Sequence, residues 1–176
     1  MIEKIHKDLK ENLKKYNQQL LDMTAQEILI WGYEKFGNQF AITTSFGIQS
    51  SVLLNILSQS GLQKKIKIFW IDTGYLPQET YHYAQKLINN LSLEIEVLQS
   101  ELSPARMEAL YGKLWETNKA IDLDKYHELR KIKPLENALE KYNIQCWGSG
   151  VRSSQTQNRK EMKFIDVIRQ RLSLRP

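Results

Sequence analysis

A single cysteine, Cys146, is all the sulfur chemistry this sequence offers beyond methionine. That excludes an internal disulfide and any all-cysteine metal or iron–sulfur site built from this chain alone. Prolines number only four, and no repeat, low-complexity tract or linker breaks the chain, so one domain is expected. No apolar run approaches the roughly 20 residues that a membrane helix needs. The opening MIEKIHKDLKENLKK lacks the apolar core of a secretion signal. A cytoplasmic protein with no membrane partner is expected. The three histidines, His6, His82 and His127, lie in helical or polar contexts and form no Ser-His-Asp set. Each reads as a surface residue rather than a base.

What is present is a chain of 176 residues, 41% hydrophobic and 26% charged, long enough to bury a core of its own. The net charge of +5 comes from 25 basic and 20 acidic residues. Its placement is uneven: from Arg152 to the end there are seven basic residues and two acidic, and the rest of the chain balances. A nucleic-acid surface, a pocket for a multiply charged small anion and a solvated terminal helix all account for such a segment.

The periodicity predicts an α/β fold. Ile2, Ile5, Leu9, Leu13, Tyr16 and Leu20 recur at helical spacing. Thr24 and Glu27 have the spacing of a capping box, opening a second helix that ends near Gly37. Together these N-terminal helices occupy residues 1–37, ahead of an α/β body over 38–176. Strands are expected at Phe40–Thr43, Ile66–Ile71, Glu94–Leu98 and Ile144–Trp147, with a fifth at Phe164–Ile168. Helices are expected between them: one after the first strand that stops near Gly61, one after Pro77, then Pro104–Leu110 and Pro134–Tyr142. Residues between Trp115 and Pro134 read as a polar connection. Apolar strands alternating with helices imply right-handed crossovers and a parallel, Rossmann-like sheet flanked by helices.

The chain is organised around Ala41–Ser51, AITTSFGIQSS. A strand here feeds a small-residue loop and a helix N-terminus, where unpaired N–H groups and the helix dipole favour an anion. Ser45, Gly47, Gln49 and Ser50 are the residues to hold a phosphate-like group, against the alternative of an ordinary strand–helix turn. Two more polar loops follow strands, Asp72-Thr73-Gly74 and Gly148 to Arg152, where ligands of open parallel sheets collect. Asp72 and Thr73 suit a ribose or purine edge, and suit a plain capped turn equally. Tyr111, Gly112, Lys113 and Trp115 pair aromatic faces with a cation, though core packing beside a surface lysine explains them better. Arg152, Gln155 and Arg159 would share a helix face able to grip an anion, or would simply be solvated. Cys146 sits within an apolar strand and reads as inert core.

The stretches TTSFGIQSS, FWIDTGYLPQETY, ARMEALYGKLWE, LRKIKPLENAL and WGSGVRSSQTQNR, in that order, resemble the phosphoadenylyl-sulfate reductase family. That family is thioredoxin-dependent and reduces 3′-phosphoadenylyl sulfate to sulfite and adenosine 3′,5′-bisphosphate in sulfate assimilation. The resemblance spans about Phe40 to Arg159 and implies an adenine-nucleotide alpha-hydrolase-like fold. It implies that the Ser45–Ser50 loop, Phe46 included, cradles the phosphosulfate, and that Asp72, Thr73 and Gly74 lie by the adenosine. Lys113, Lys131, Arg152, Gln155 and Arg159 would surround the sulfate and phosphates.

The loop also resembles the SGGxDS loop of ATP pyrophosphatases, with Phe46 in place of a glycine and Gln49 in place of the aspartate. Losing that carboxylate removes a magnesium ligand and favours a metal-free sulfonucleotide site. No bound cofactor and no iron–sulfur cluster are expected, and thioredoxin is the implied external reductant. The family's nucleophile is a cysteine in an ECGLH-like motif near its C-terminus. This chain ends at Pro176 ahead of that motif, so the resemblance implies a C-terminally truncated chain with no catalytic residue of its own. The alternatives are an inactive sulfonucleotide-binding module or gene remnant and, ranked lowest, a nucleic-acid-binding protein. The oligomeric state stays open, a homo-oligomer included.

Overall fold

The computed structural model describes residues 12–150 and 163–176, apart from the side chains of Ile48 and Gln49. Helix α1 covers residues 12–20. Helix α2 runs Ala25–Phe36 behind the expected capping box. The Thr24 hydroxyl accepts from the Glu27 N–H at 3.3 Å, and the Thr24 N–H donates to the Glu27 carboxylate at 2.7 Å. A short 3-10 turn then leads into β1, Phe40–Thr44. The order continues α3 (Ile48–Gln59), β2 (Lys67–Ile71), α4 (Gln78–Leu91), β3 (Ile95–Leu98), α5 (Pro104–Tyr111), α6 (Ala120–His127), a π-helical turn (Glu128–Ile132), α7 (Lys133–Lys141), β4 (Cys146–Ser149), β5 (Ile165–Ile168) and β6 (Arg171–Leu174).

The six strands form one sheet in the order β3-β2-β1-β4-β6-β5. All neighbours pair parallel except β5 and β6. Side chains alternate across it. Phe40, Ile42, Ile68, Trp70, Cys146 and Leu174 enter the larger core beneath α2, α3 and α4. Ala41, Phe69 and Leu98 face the opposite way, toward Ala138 and Leu139 of α7. Helix α2 lies close on the sheet because Gly32 has no side chain: a Cβ there would stand 2.8 Å from Phe40 and 2.9 Å from Leu174. The fold is thus the expected α/β, Rossmann-like sheet with helices on both faces. Among the described residues no helix is long and apolar enough to cross a membrane.

Three elements differ from the sequence-based expectation. The polar connection is helical: α6 and the π turn run directly into α7. Helix α6 gave no signal because it has no side-chain N-cap and leaves Ile121 75% exposed, so no apolar stripe marks it. Strand β4 lies two residues later than expected, since the Ile144 N–H closes the end of α7 on the Leu139 carbonyl at 2.8 Å. Strand β6 was not anticipated. It reaches its place between β4 and β5 through a two-residue hairpin turn in which Arg169 and Gln170 both have positive φ. That turn favours Asn and Gly, so Arg-Gln carries no sequence signal for it.

Candidate functional site

The strand order reverses at β1, with β2 on one side and β4 on the other. Loops leaving two such strands diverge to opposite faces and open a crevice at the carboxyl edge. Here that crevice is a cleft of about 750 Å³ lined by Ser45, Gly47, Ser50, Thr73, Lys131 and Ser149, among others. A groove of similar volume, between Lys64 and Glu94, borders the opposite, amino-terminal edge of β2 and β3, where parallel sheets do not gather ligands.

The loop from β1 to α3 presents backbone donors. Gly47 is the N-cap of α3 and is extended, with φ −65°. No side chain caps this helix and no acidic residue stands in its first turn, so the N-terminal partial positive charge is left for a ligand. Phe46 turns its side chain away from the cleft. Its φ is +52°, its N–H donates to the Thr44 hydroxyl at 3.1 Å, and its ring packs edge-on against Trp70 at 4.8 Å. The left-handed backbone costs roughly 1–2 kcal/mol, and burying the ring offsets it. Phe46 therefore anchors the loop from beneath, outside the cleft. The Gln49 side chain and Arg152, Gln155 and Arg159 lie outside the described residues.

The loop after β2 also divides its labour. Asp72 is buried, and its carboxylate accepts from the Tyr81 hydroxyl at 2.7 Å, the Gly74 N–H at 2.8 Å and Gln99 Nε2 at 2.7 Å. Burial first, then this hydrogen bond and the Asp72 charge, push the Tyr81 phenol above its ordinary pKa. Gly74 has φ +74°, and a Cβ on it would stand 2.7 Å from Pro104 and 2.8 Å from Arg130 Nη2. Asp72 and Gly74 thus tie the loop to the body of the protein, and Thr73 is the residue of the three that lines the cleft.

Arg130, which sequence reasoning passed over, holds that loop down. It is 2% exposed. Its Nε donates to the Thr73 carbonyl at 2.8 Å, Nη1 donates to the Leu102 carbonyl, and the guanidinium lies over the Tyr75 ring. Burial, then the hydrogen bond and charge of Glu108, push the Tyr75 phenol up to about 12. The π turn explains how Arg130 and Lys131 come to be placed as neighbours, one inward and one in the cleft. Pro134 cannot donate to the Arg130 carbonyl and its ring would clash there, a fault that a wider turn relieves. The Lys133 N–H accordingly bonds the Glu128 carbonyl, five residues back. A proline inside a helical stretch, at Pro134, was the available signal.

Lys113 stands apart from the cleft. It is half exposed and pairs with Glu116 at 3.3 Å. Trp115 packs edge-on against Tyr75 at 4.5 Å. Tyr111 is 42% exposed and carries Lys125 over its ring. Cys146 is fully buried, and burial drives its thiol pKa well above the usual range, which leaves no thiolate to react. No acidic side chain lines the cleft among the described residues, and Lys131 and Arg175 both do. Such a surface suits an anion.

Comparison with known proteins agrees with this geometry. A family model described as the phosphoadenosine phosphosulfate reductase domain matches residues 39–175. The phosphoadenosine 5′-phosphosulfate reductase of a Synechococcus species is 45% identical over 165 residues, covering 94% of this chain and 70% of that protein. That of a Synechocystis species is 41% identical over 162 residues, covering 92% of this chain and 64% of that protein. The chain therefore spans about two thirds of the length of these relatives. A crystal structure of phosphoadenylyl-sulfate reductase from Candida auris, in complex with phosphate, superposes with TM-score 0.78 at 24% identity, covering 94% of this chain and 78% of that one. FMN adenylyltransferase from Candida glabrata shares the fold more distantly, with TM-score 0.57 at 14% identity. The family model over residues 39–175 and a relative 45% identical along most of this chain place the protein in the phosphoadenosine phosphosulfate reductase family.

Proposed function

We propose that the cleft binds 3′-phosphoadenylyl sulfate, and that this chain is the nucleotide-binding body of a reductase that yields sulfite and adenosine 3′,5′-bisphosphate. One observation carries the reading: the uncapped N-terminus of α3 and Lys131 converge on one cleft at the switch point, and no carboxylate lines it among the described residues. Ser45, Gly47 and Ser50 would hold the phosphosulfate with hydroxyl and N–H donors. Lys131 would balance its charge, and Thr73 would face the sugar. Gln49, Arg152, Gln155 and Arg159 belong to the same proposed set through the family motif.

Release of sulfite takes two electrons: one thiol attacks the sulfur and expels the bisphosphate, and a second thiol then displaces sulfite as a disulfide forms. Thioredoxin supplies such a dithiol, in the cytoplasm. The attacking thiol is not Cys146, whose buried position denies it both substrate and thiolate character. That observation favours a second reading for these 176 residues taken alone, a sulfonucleotide-binding module without turnover. Titration calorimetry with adenosine 3′,5′-bisphosphate tests the site, and sulfite release with thioredoxin tests turnover. Binding without sulfite is expected. Sulfite production that Cys146→Ser abolishes would overturn the assignment of Cys146, and absence of binding would overturn the site.

A further inference from the structure

Thr73 reaches the cleft from a loop that is gripped on two sides. It is 5% exposed, and its hydroxyl oxygen accepts from the Tyr75 N–H at 3.3 Å. That hydroxyl gives its proton to no partner among the described residues. On one side the Asp72 carboxylate ties the loop to Tyr81 and Gln99. On the other, Arg130 Nε donates to the Thr73 carbonyl at 2.8 Å. The same guanidinium donates through Nη1 to the Leu102 carbonyl in the loop after β3, and it lies over the Tyr75 ring. Gly74 makes room for it, since a Cβ there would stand 2.8 Å from Nη2. At 2% exposure Arg130 touches no ligand itself. A buried guanidinium is a costly way to fill space, and an apolar side chain would fill it as well. What the guanidinium adds is a rigid fork that sets two carbonyls in fixed relation.

We propose that Arg130 is a positioning residue for nucleotide binding: by locking the Thr73 carbonyl to the Leu102 carbonyl, it aims the Thr73 hydroxyl into the cleft without touching the ligand. The proposal rests on the reading that the cleft binds the nucleotide and that Thr73 faces its sugar. The π turn gives Arg130 its reach, turning it inward from the same turn whose next residue, Lys131, lines the cleft. One buried side chain thereby ties the loop that carries the hydroxyl to the turn that carries the cation. A hydroxyl held in this way is ordered when the chain folds and not when the ligand arrives, so the ordering cost is absent from binding. Without the fork, the Asp72 contacts keep the loop in place but leave the Thr73 carbonyl, and with it the hydroxyl, free to turn.

A double-mutant cycle tests this, with calorimetry of adenosine 3′,5′-bisphosphate binding under conditions where urea titration shows each chain fully folded. Thr73→Val removes the hydroxyl and should lower affinity about fivefold. Arg130→Met should lower it by a similar factor from outside the cleft. The double variant should stay within about twofold of Thr73→Val, because both changes act on one contact. Should the methionine variant not fold, Arg130→Lys carries the test: its ammonium keeps the charge and lacks the fork, so the same loss and the same non-additivity are expected. A lower urea midpoint with undiminished affinity would leave Arg130 a stabilising clamp and overturn the positioning role. Losses that multiply in the double variant, or no loss in Thr73→Val, would overturn it too, since Arg130 would then not act through Thr73. Failure of the wild type to bind the bisphosphate would instead remove the cleft reading on which the proposal rests.

Discussion

Arg130 and Arg175 are both more than nine-tenths buried, and neither meets a carboxylate partner among the described residues. Arg130 gives Nε and Nη1 to two carbonyls of the loops after β2 and β3 and lays its plane over Tyr75. Arg175 gives one N–H to the Lys163 carbonyl and lines the cleft with the rest. Arg130 spends two donors on backbone and its plane on a ring, and so clamps two loops, whereas Arg175 spends one donor and borders the cleft. Burial or charge taken separately would not tell the two apart; the donor accounting does.

The widest effect that would test this contrast is on stability. Arg130→Met leaves the Thr73 and Leu102 carbonyls without their donors and should cost about 3 kcal/mol. The readout is a lower urea midpoint at unchanged slope. A variant as stable as wild type would erase the distinction between the two arginines. Lys131→Met, one residue away on the exposed side, should change stability by no more than about 0.5 kcal/mol. Its loss should appear in binding, as a fall of about tenfold in bisphosphate affinity at low salt that narrows as salt screens the site. Equal affinities at low salt would remove Lys131 from the site.

Alkali probes the clamp more gently. Burial, then the hydrogen bond and charge of Glu108, hold the folded Tyr75 phenol at about 12, above its ordinary value of 10.0. Its contribution is therefore complete below the unfolded pKa and is lost as pH rises through the folded one. Denaturation midpoints should decline between about pH 10 and pH 12, and Tyr75→Phe should flatten that decline. An identical slope in the variant would show that Tyr75 is not the group responsible. The smallest expected signal is from Cys146: iodoacetamide should leave the native thiol unmodified over hours and label it promptly in urea. Rapid labelling of the native chain would show that β4 opens locally.

Much of this was legible because it is local. The capping box at Thr24, the apolar strands and the glycine-containing loop after β1 each announce themselves within a few residues. The loop stretch could be recognised as an anion site because a strand, small residues and an amphipathic helix follow one another in the chain. Asp72 and Phe46 show what such reading leaves open. Both stand in the expected loops, yet Asp72 is occupied by Tyr81 and Gln99, nine and 27 residues away in sequence. Phe46 is turned under by its packing on Trp70. Arg130 and the β5–β6 turn were missed because one depends on a π turn and the other on an Arg-Gln pair with no turn preference.

The sequence by itself determined the α/β class, the family and the loop that opens the cleft, since periodicity, caps and motif order are properties of neighbouring residues. The tertiary structure alone decided which charges are available to a ligand. Ser173 and Arg175 line one cleft with the β1 loop only because β6 is inserted beside β4. A donor is free or engaged according to what folding packs against it, and that depends on residues far apart in the chain.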